Sequence, residues 1–363
     1  MAQTMMALRK TERKRGAELQ EIPIPDIKPN EVLIKVEASS LCGTDVHIYE
    51  WDSWAQSRIK NVPYTVGHET TGTVIKAGSV VGRAKEGDVV SVETHIPCMH
   101  CKQCMTGQMH ICHNLEILGV DRDGAFAEYL VVPDIVLWKN DTSIRPEFLS
   151  IQEPLGNAVH ATLIEPVHGK SVVILGDGPI GLFAVGVARA AGATKIFLTG
   201  MEKYRLDIGS KMGADRIIDV TKENAVEIVK EATGGIGADV VIEMSGAPRA
   251  MQDGIAMLRR GGRFCFFGIY HENLVPTPLN DIVFNGGTFY GINGRLMFDT
   301  WFTVSNLLSS KRLDVTPVVT HKMPLANFAE AFAMMTETPK KVGKIVLFPD
   351  AAMMNGRAGA NVK

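Results

Sequence analysis

Four of the six cysteines, Cys98, Cys101, Cys104 and Cys112, stand in the order Cys-x2-Cys-x2-Cys-x7-Cys. A cluster of this kind can be a disulfide knot, a redox pair, an iron–sulfur site or a metal clamp. Disulfides belong to oxidising compartments. No N-terminal stretch has the charged, apolar and cleavage-site regions of a secretory signal, so a cytoplasmic protein with reduced thiols is expected. The four-iron motif opens similarly but closes as x3-Cys-Pro, whereas here seven residues precede Cys112 and His113 follows it. The spacing lets a short lobe wrap one soft ion tetrahedrally, with thiolate–zinc distances near 2.3 Å, a value of about that size being general for such sites. Four thiolates leave no open coordination position, so a zinc held there is structural.

Chemistry must therefore come from other residues. Cys42 in SSLCGTDVHIYEWDSWAQ and His68 and Glu69 in VGHETTG are soft and borderline ligands, and QEPLGNAVH contributes Glu153. Three protein ligands with an exchangeable fourth make an open zinc site, able to polarise an alcohol oxygen and lower its pKa. Further on, SVVILGDGPIGLFAVGVARAAGA carries a β-branched run, Ser171 to Leu175, into Gly176-x-Gly178-x-x-Gly181 and an Ala-rich helical stretch. That is the strand–turn–helix context of the dinucleotide fingerprint, in which glycines let the backbone approach a pyrophosphate at the helix N-terminus. A hydride acceptor beside a Lewis acid implies alcohol oxidation.

The elements that must position these groups are legible in outline. With 363 residues, 45% hydrophobic and 21% charged, the chain can bury a large core and is expected to hold about two domains. A net charge of −2 and the lack of any block of five or more like charges give no attraction to nucleic acid or membranes, so the expected partner is a small-molecule substrate. The longest apolar stretch, Val172 to Ala193, is broken by Gly, Asp, Pro and Arg. After the glycine-rich turn the pattern predicts a strand at Lys195–Thr199, a helix through Tyr204–Met212, a strand at Ala238–Glu243, a helix through Ala250–Arg259 and a strand at Arg263–Phe267. This alternation predicts an α/β fold with a doubly wound parallel sheet, a Rossmann domain. EVLIKVEAS, TTGTVIKAG and GDVVSVE read as early strands broken by turns, and GKIVLF reads as a returning strand.

Cys42-Gly43-Thr44-Asp45-Val46-His47, the Gly67-His68-Glu69 box, the four-cysteine lobe and the Rossmann glycines together resemble the zinc-dependent medium-chain dehydrogenase/reductase superfamily. Within it, CGTDVHIYEWDSWAQ, EPLGNAVH, EMSGAP and GRLMFDTW are similar to the L-threonine 3-dehydrogenase family, from about residue 5 to about residue 348. Only the tail DAAMMNGRAGANVK lies outside, and its composition suggests a mobile end. The resemblance implies a GroES-like β-rich catalytic domain, residues 1–155 and 298–363, with the Rossmann domain inserted at 156–297 and the active site in the cleft between them. It implies a homotetramer extended by strand pairing, with GTFYGIN as the candidate edge strand. It places Cys42, His68, Glu69 and Glu153 around a catalytic zinc, with Glu153 exchanging on the metal or aiding proton transfer, and it maps Thr44 and His47 onto a proton relay. A hydroxyl that both donates and accepts can link a substrate oxygen to cofactor ribose and on to a histidine, so the chemistry agrees. Ile180, Arg205, Phe267 and Ile292 correspond to positions contacting the dinucleotide, and Arg295 lies in a loop near the cleft.

One departure concerns the cofactor. Related Rossmann domains carry Asp or Glu at the end of the second strand to hold the adenosine ribose, but IFLTGMEKYRL has Gly200 there. Glu202 is a candidate replacement. Gly200 with Lys203 and Arg205 would instead admit the 2′-phosphate of NADP, which Glu202 would repel. NAD is expected, because no arginine directly follows the glycine.

The substrate expected from the resemblance is L-threonine, oxidised to 2-amino-3-oxobutanoate. Such a site needs zinc for the oxygen and an acceptor for the ammonium, and Glu153 and His95 are assigned to that end. The alternative is a polyol or other secondary-alcohol dehydrogenase, of the 2,3-butanediol or sorbitol type, sharing every metal and cofactor residue. A quinone reductase of this fold would lack both metal sites, and a zinc-binding interaction module would leave the Rossmann glycines idle.

Overall fold

The computed structural model describes residues 3–270 and 275–357. Six of its strands form one parallel sheet: β1 Ser171–Leu175, β2 Lys195–Gly200, β3 Arg216–Asp219, β4 Ala238–Glu243, β5 Leu258–Phe266 and β6 Thr288–Gly291. Their order is β3-β2-β1-β4-β5-β6, so the sheet is doubly wound and its order reverses between β1 and β4. Val172 to Leu175 are all buried, the condition of a strand covered by helices on both faces. β3 and the helix Ala225–Ala232 after it escape the sequence pattern, because the four residues RIID have only one buried member. The expected helix through Arg259 ends at Met257, since Leu258 already pairs with Ala238.

A β-rich body is built from the two ends of the chain. Strand Glu31–Ser40 lies at its centre, paired antiparallel with Glu69–Ala77, Tyr129–Pro133 and Lys344–Phe348. The last of these is the returning strand, and it reaches Ser39 and Ser40 from more than 300 residues away. A separate three-stranded sheet joins Thr4–Lys10, Glu18–Pro23 and Tyr64–Thr65.

The helix Gln152–Leu163 joins the two bodies. Every residue from Gln152 to Thr162 is buried, because the helix packs between Pro179–Ala190 and Asp299–Ser309. Ala38, Leu155, Leu182, Ile242 and Val346 belong to one apolar cluster, so the β-rich body and the parallel sheet share a core. The C-terminal tail, expected to be a mobile end, is packed as far as Arg357, which pairs with Glu37 at 2.6 Å and donates to the carbonyls of Thr142 and Ile144. Residues 358–363 lie outside the described part. Among the described residues, no helix is long and apolar enough to cross a membrane.

Candidate active site and metal lobe

Cys42 caps the helix Gly43–Glu50 in an extended conformation, and Asp45 accepts its backbone N–H at 2.9 Å. The other Asp45 oxygen lies 3.3 Å from Nδ1 of His68. His68 and Glu69 follow Gly67, whose φ of +92° and whose place against the Phe126 ring, 2.6 Å from where a Cβ would stand, exclude a side chain. The turn thus delivers a histidine and a carboxylate to the mouth of strand Glu69–Ala77. The donor atoms of Cys42, His68 and Glu69 all lie within 4.8 Å of one another. Thiolate, imidazole and carboxylate converging in this way can hold a zinc ion, and Asp45 is the carboxylate beside the imidazole. Burial pulls the His68 pKa down, but Asp45 and Cys42 together outweigh it and raise the ring well above its ordinary value.

Glu69 does not stand alone. Lys344 donates to it at 2.7 Å and to the carbonyl of Leu41 at 2.9 Å, while Ser40 donates to its other oxygen. Lys344 is 3% exposed; burial opposes its charge, but the carboxylate of Glu69 and the thiol of Cys42 hold its pKa above normal. Asp45, Ser40 and Lys344 are site residues that the sequence alone did not mark.

Glu153 begins the helix joining the two bodies and pairs with Arg295 at 2.6 Å. On its other side Arg295 pairs with Glu93, which also accepts Trp301 Nε1 at 2.7 Å and the backbone N–H of His95 at 2.9 Å. Arg295 and Glu93 are almost wholly buried, so a carboxylate–guanidinium–carboxylate chain runs under the site. Burial raises the Glu153 pKa, opposed by Arg295 and seconded by Glu69. His95 is 9% exposed, its Nδ1 makes no hydrogen bond among the described residues and lies 4.0 Å from Glu93, and the backbone of Gly294 stands against its ring. Burial, then Arg295, His110 and His68, push its pKa well below normal, so the ring is neutral.

Thr44 and His47 occupy the Cys42-capped helix, with Thr44 Oγ1 3.8 Å from Cys42 Sγ. His47 is partly exposed, and its Nδ1 lies 2.5 Å from Asp52, which also caps the helix Ser53–Arg58. Asp52 is another residue the sequence did not single out.

In the lobe, the four sulfurs of Cys98, Cys101, Cys104 and Cys112 converge within 4.8 Å, and all four cysteines are free. Cys101 Sγ lies 3.5 Å from Cys104 and 3.7 Å from Cys112. A tetrahedral zinc–thiolate site requires sulfur–sulfur edges of about 3.8 Å, so the donor set fits that ion. The backbone N–H of Cys98 donates to Cys112 Sγ at 3.2 Å, and N–H groups of His100 and Cys101 draw the Cys98 thiol down to about 6, whereas burial pushes Cys104 up to about 12 and raises Cys112, a cost that a bound cation would offset.

The glycine-rich turn follows β1. Gly176 has φ +117°, Gly178 faces open space, and a Cβ at Gly181 would strike the carbonyl of Gly176. These are the three demands of a dinucleotide turn: a left-handed bend, room for a pyrophosphate and close helix–strand packing. Ile180 and Phe267 pack at the edge of the shared core and Ile292 is buried. Arg205 donates through Nε to the Val342 carbonyl at 2.8 Å, reaching from the parallel-sheet body to the β-rich one. A cavity of 660 Å³ opens at the carboxyl ends of the strands, lined by Asp177, Gly200, Lys222, Asn224 and Arg249 among others.

Comparison with known proteins shows what the chain as a whole is similar to. A model described as a zinc-binding dehydrogenase matches residues 179–310, and one for the alcohol dehydrogenase GroES-like domain matches 28–141. The L-threonine 3-dehydrogenase of Bacillus velezensis is 48% identical over 350 residues, covering 96% of this chain and 100% of that protein. That of Pyrococcus horikoshii is 46% identical over 347 residues, covering 95% of this chain and 99% of that one. Among solved structures, a putative zinc-binding dehydrogenase from Sinorhizobium meliloti bound to NADP has a TM-score of 0.88 at 26% identity, covering 96% of this chain and 100% of its own. The 2R,3R-butanediol dehydrogenase of Bacillus subtilis has a TM-score of 0.87 at 28% identity, covering 95% and 100%.

Proposed function

Because the chain belongs to the zinc-binding dehydrogenase family, and within it to the L-threonine 3-dehydrogenases, we propose that it oxidises the secondary hydroxyl of L-threonine to 2-amino-3-oxobutanoate, with NAD as hydride acceptor. The observation that carries the reading is the Cys42–His68–Glu69 donor cluster, set beside Glu153 on a helix that packs against the fingerprint helix. One zinc belongs at that cluster and one in the lobe. When bound, the first lowers the pKa of the substrate hydroxyl and the dinucleotide takes up hydride.

The chain's own groups handle the proton and the substrate. Thr44, beside Cys42, accepts the hydroxyl proton and donates onward, and His47 delivers it to solvent, with Asp52 stabilising the imidazolium that forms. Glu69 is held by Lys344 and Ser40 and contributes a carboxylate at the metal. The neutral ring of His95 and the Glu153 oxygen not engaged by Arg295 receive the ammonium end. A pocket built for a hydrogen-bonding group rejects analogues that lack it by about 10⁴, because its polar atoms are left unpaired.

The division we propose is a catalytic domain of 1–155 and 298–363 and a dinucleotide domain of 156–297, its first boundary falling inside the helix Gln152–Leu163. A homotetramer is proposed on the edge position of β6 and on the neighbouring exposed Leu279, Val283 and Phe284, and a cytoplasmic location on the reduced, metal-binding reading of the cysteines. Initial rates with L-threonine, 2,3-butanediol and sorbitol, each with NAD and NADP, test the reaction. A higher kcat/KM for the diol would transfer the enzyme to the polyol class.

A further inference from the structure

Gly200 ends β2 where an acid is expected, and the structure puts another acid in that space. A Cβ added at Gly200 would lie 2.5 Å from Asp177 Cβ, and closer still to the Asp177 carboxylate. Asp177 is the variable residue of the Gly176-x-Gly178 turn. Its Oδ2 accepts the backbone N–H groups of Met201 at 2.9 Å and Glu202 at 2.8 Å, so the carboxylate is clamped over the end of β2. Its Oδ1 has no hydrogen bond among the described residues, and Asp177 lines the 660 Å³ cavity. Glu202, the other candidate, is turned away: its Oε2 accepts the backbone N–H of Lys340 at 3.0 Å.

We propose that Asp177, reaching across from the glycine-rich turn, is the residue that recognises the adenosine ribose and selects NAD over NADP. The missing acid of β2 has been moved to β1's turn, and Gly200 is the residue that makes room for it. An ionised carboxylate accepts hydrogen bonds from ribose hydroxyls and repels a 2′-phosphate. Among the described residues, each cationic lining residue of the cavity already has a carboxylate partner. Lys222 and Arg249 are its only lysine or arginine lining residues among those described, and they pair with Asp219 at 2.5 Å and Asp253 at 2.9 Å. The proposal deepens the dehydrogenase reading and rests on it.

Direct binding tests it. Dissociation constants of NADH and NADPH are measured by cofactor fluorescence on the zinc-replete enzyme, for wild type, Asp177→Asn and the relocation variant Asp177→Gly/Gly200→Asp. Glycine is needed at 177 in the relocation because Cβ itself blocks a side chain at Gly200. We expect wild type to favour NADH by tenfold or more, Asp177→Asn to cut that ratio at least tenfold, and the relocation to restore it. An unchanged ratio in Asp177→Asn, or an equal loss of both dinucleotides, overturns the proposal, because a residue that merely shapes the loop moves both affinities together. Should the variants not fold, competition on wild type decides: 5′-AMP displacing NADH tenfold better than 2′,5′-ADP supports the assignment, and equal displacement or a preference for 2′,5′-ADP overturns it. If wild type binds neither NADH nor NADPH, the dehydrogenase reading itself fails, and the proposal with it.

Discussion

Replacing Arg295 by Met keeps the aliphatic stem that packs on Gly156 and removes only the guanidinium. The side chain is 1% exposed, and its partners Glu93 and Glu153 are 0% and 8% exposed, so two carboxylates would be left without their cation in a nearly dry site. Removing one partner of a buried pair costs roughly 3–5 kcal/mol, because the remaining charge is uncompensated. The upper part of that range applies, since Arg295 serves two carboxylates and also donates to Asn157 at 3.3 Å. At about 2–4 °C per kcal/mol for domains of this size, the unfolding temperature should fall by roughly 8–20 °C. Scanning calorimetry on the zinc-replete protein reads this directly. Arg295→Lys should lie between, because an ammonium keeps the charge but cannot fork to both carboxylates. Combining Arg295→Met with Glu93→Gln should cost less than the two changes summed, by about 1–3 kcal/mol, since the second substitution removes one of the stranded charges. A Met variant within 2 °C of wild type would refute the reasoning, and so would an additive cycle.

Cys101→Ser should lose about one equivalent of zinc and unfold at lower temperature, while the folded remainder keeps its turnover; unchanged metal content by elemental analysis would contradict a lobe site. His47→Ala should keep its zinc and lose about 10²-fold in kcat, recovering in part at high pH where solvent takes the proton, with Asp52→Asn shifting kcat the same way by less. Asp239 is part-buried: burial alone would raise its pKa, but the Ser171 backbone N–H, the Arg259 side chain and the Ser171 hydroxyl together depress it. Its contribution, about 1 kcal/mol after screening, is therefore present above the ordinary carboxylate range and lost as pH falls through the folded pKa. Urea midpoints of wild type and Asp239→Asn should differ at pH 7 and converge on acidification.

What could be read from the sequence followed from residue type and local pattern. The bounds of β1 and β4 match the apolar runs SVVIL and ADVVIE, and the four cysteines announce their site by spacing alone. The groups that steady the catalytic cluster give no such signal. Lys344 is the first residue of an otherwise apolar strand, and its partner Glu69 lies 275 positions earlier. Arg295 and Glu93 are 202 positions apart, and only the folded chain brings them together. Asp177 escaped for a different reason: the fingerprint treats its position as free, and a missing acid at Gly200 turns attention downstream to Glu202 rather than back to the turn.

The placing of Lys344 links stability to chemistry. It begins the strand Lys344–Phe348, which pairs with Ser39 and Ser40, while Ser40 and Lys344 both donate to Glu69. Cys42 follows two residues after Ser40, and the Leu41 carbonyl between them accepts from Lys344 as well. The strand that closes the β-rich sheet thus also brings the cation that faces Glu69. Until that strand docks, Glu69 lacks the cation that offsets its burial, and an uncompensated buried carboxylate is expensive. In the folded chain the cation that steadies the cluster thus comes from the opposite end of the sequence, although the three donors lie within 28 consecutive residues, Cys42 to Glu69.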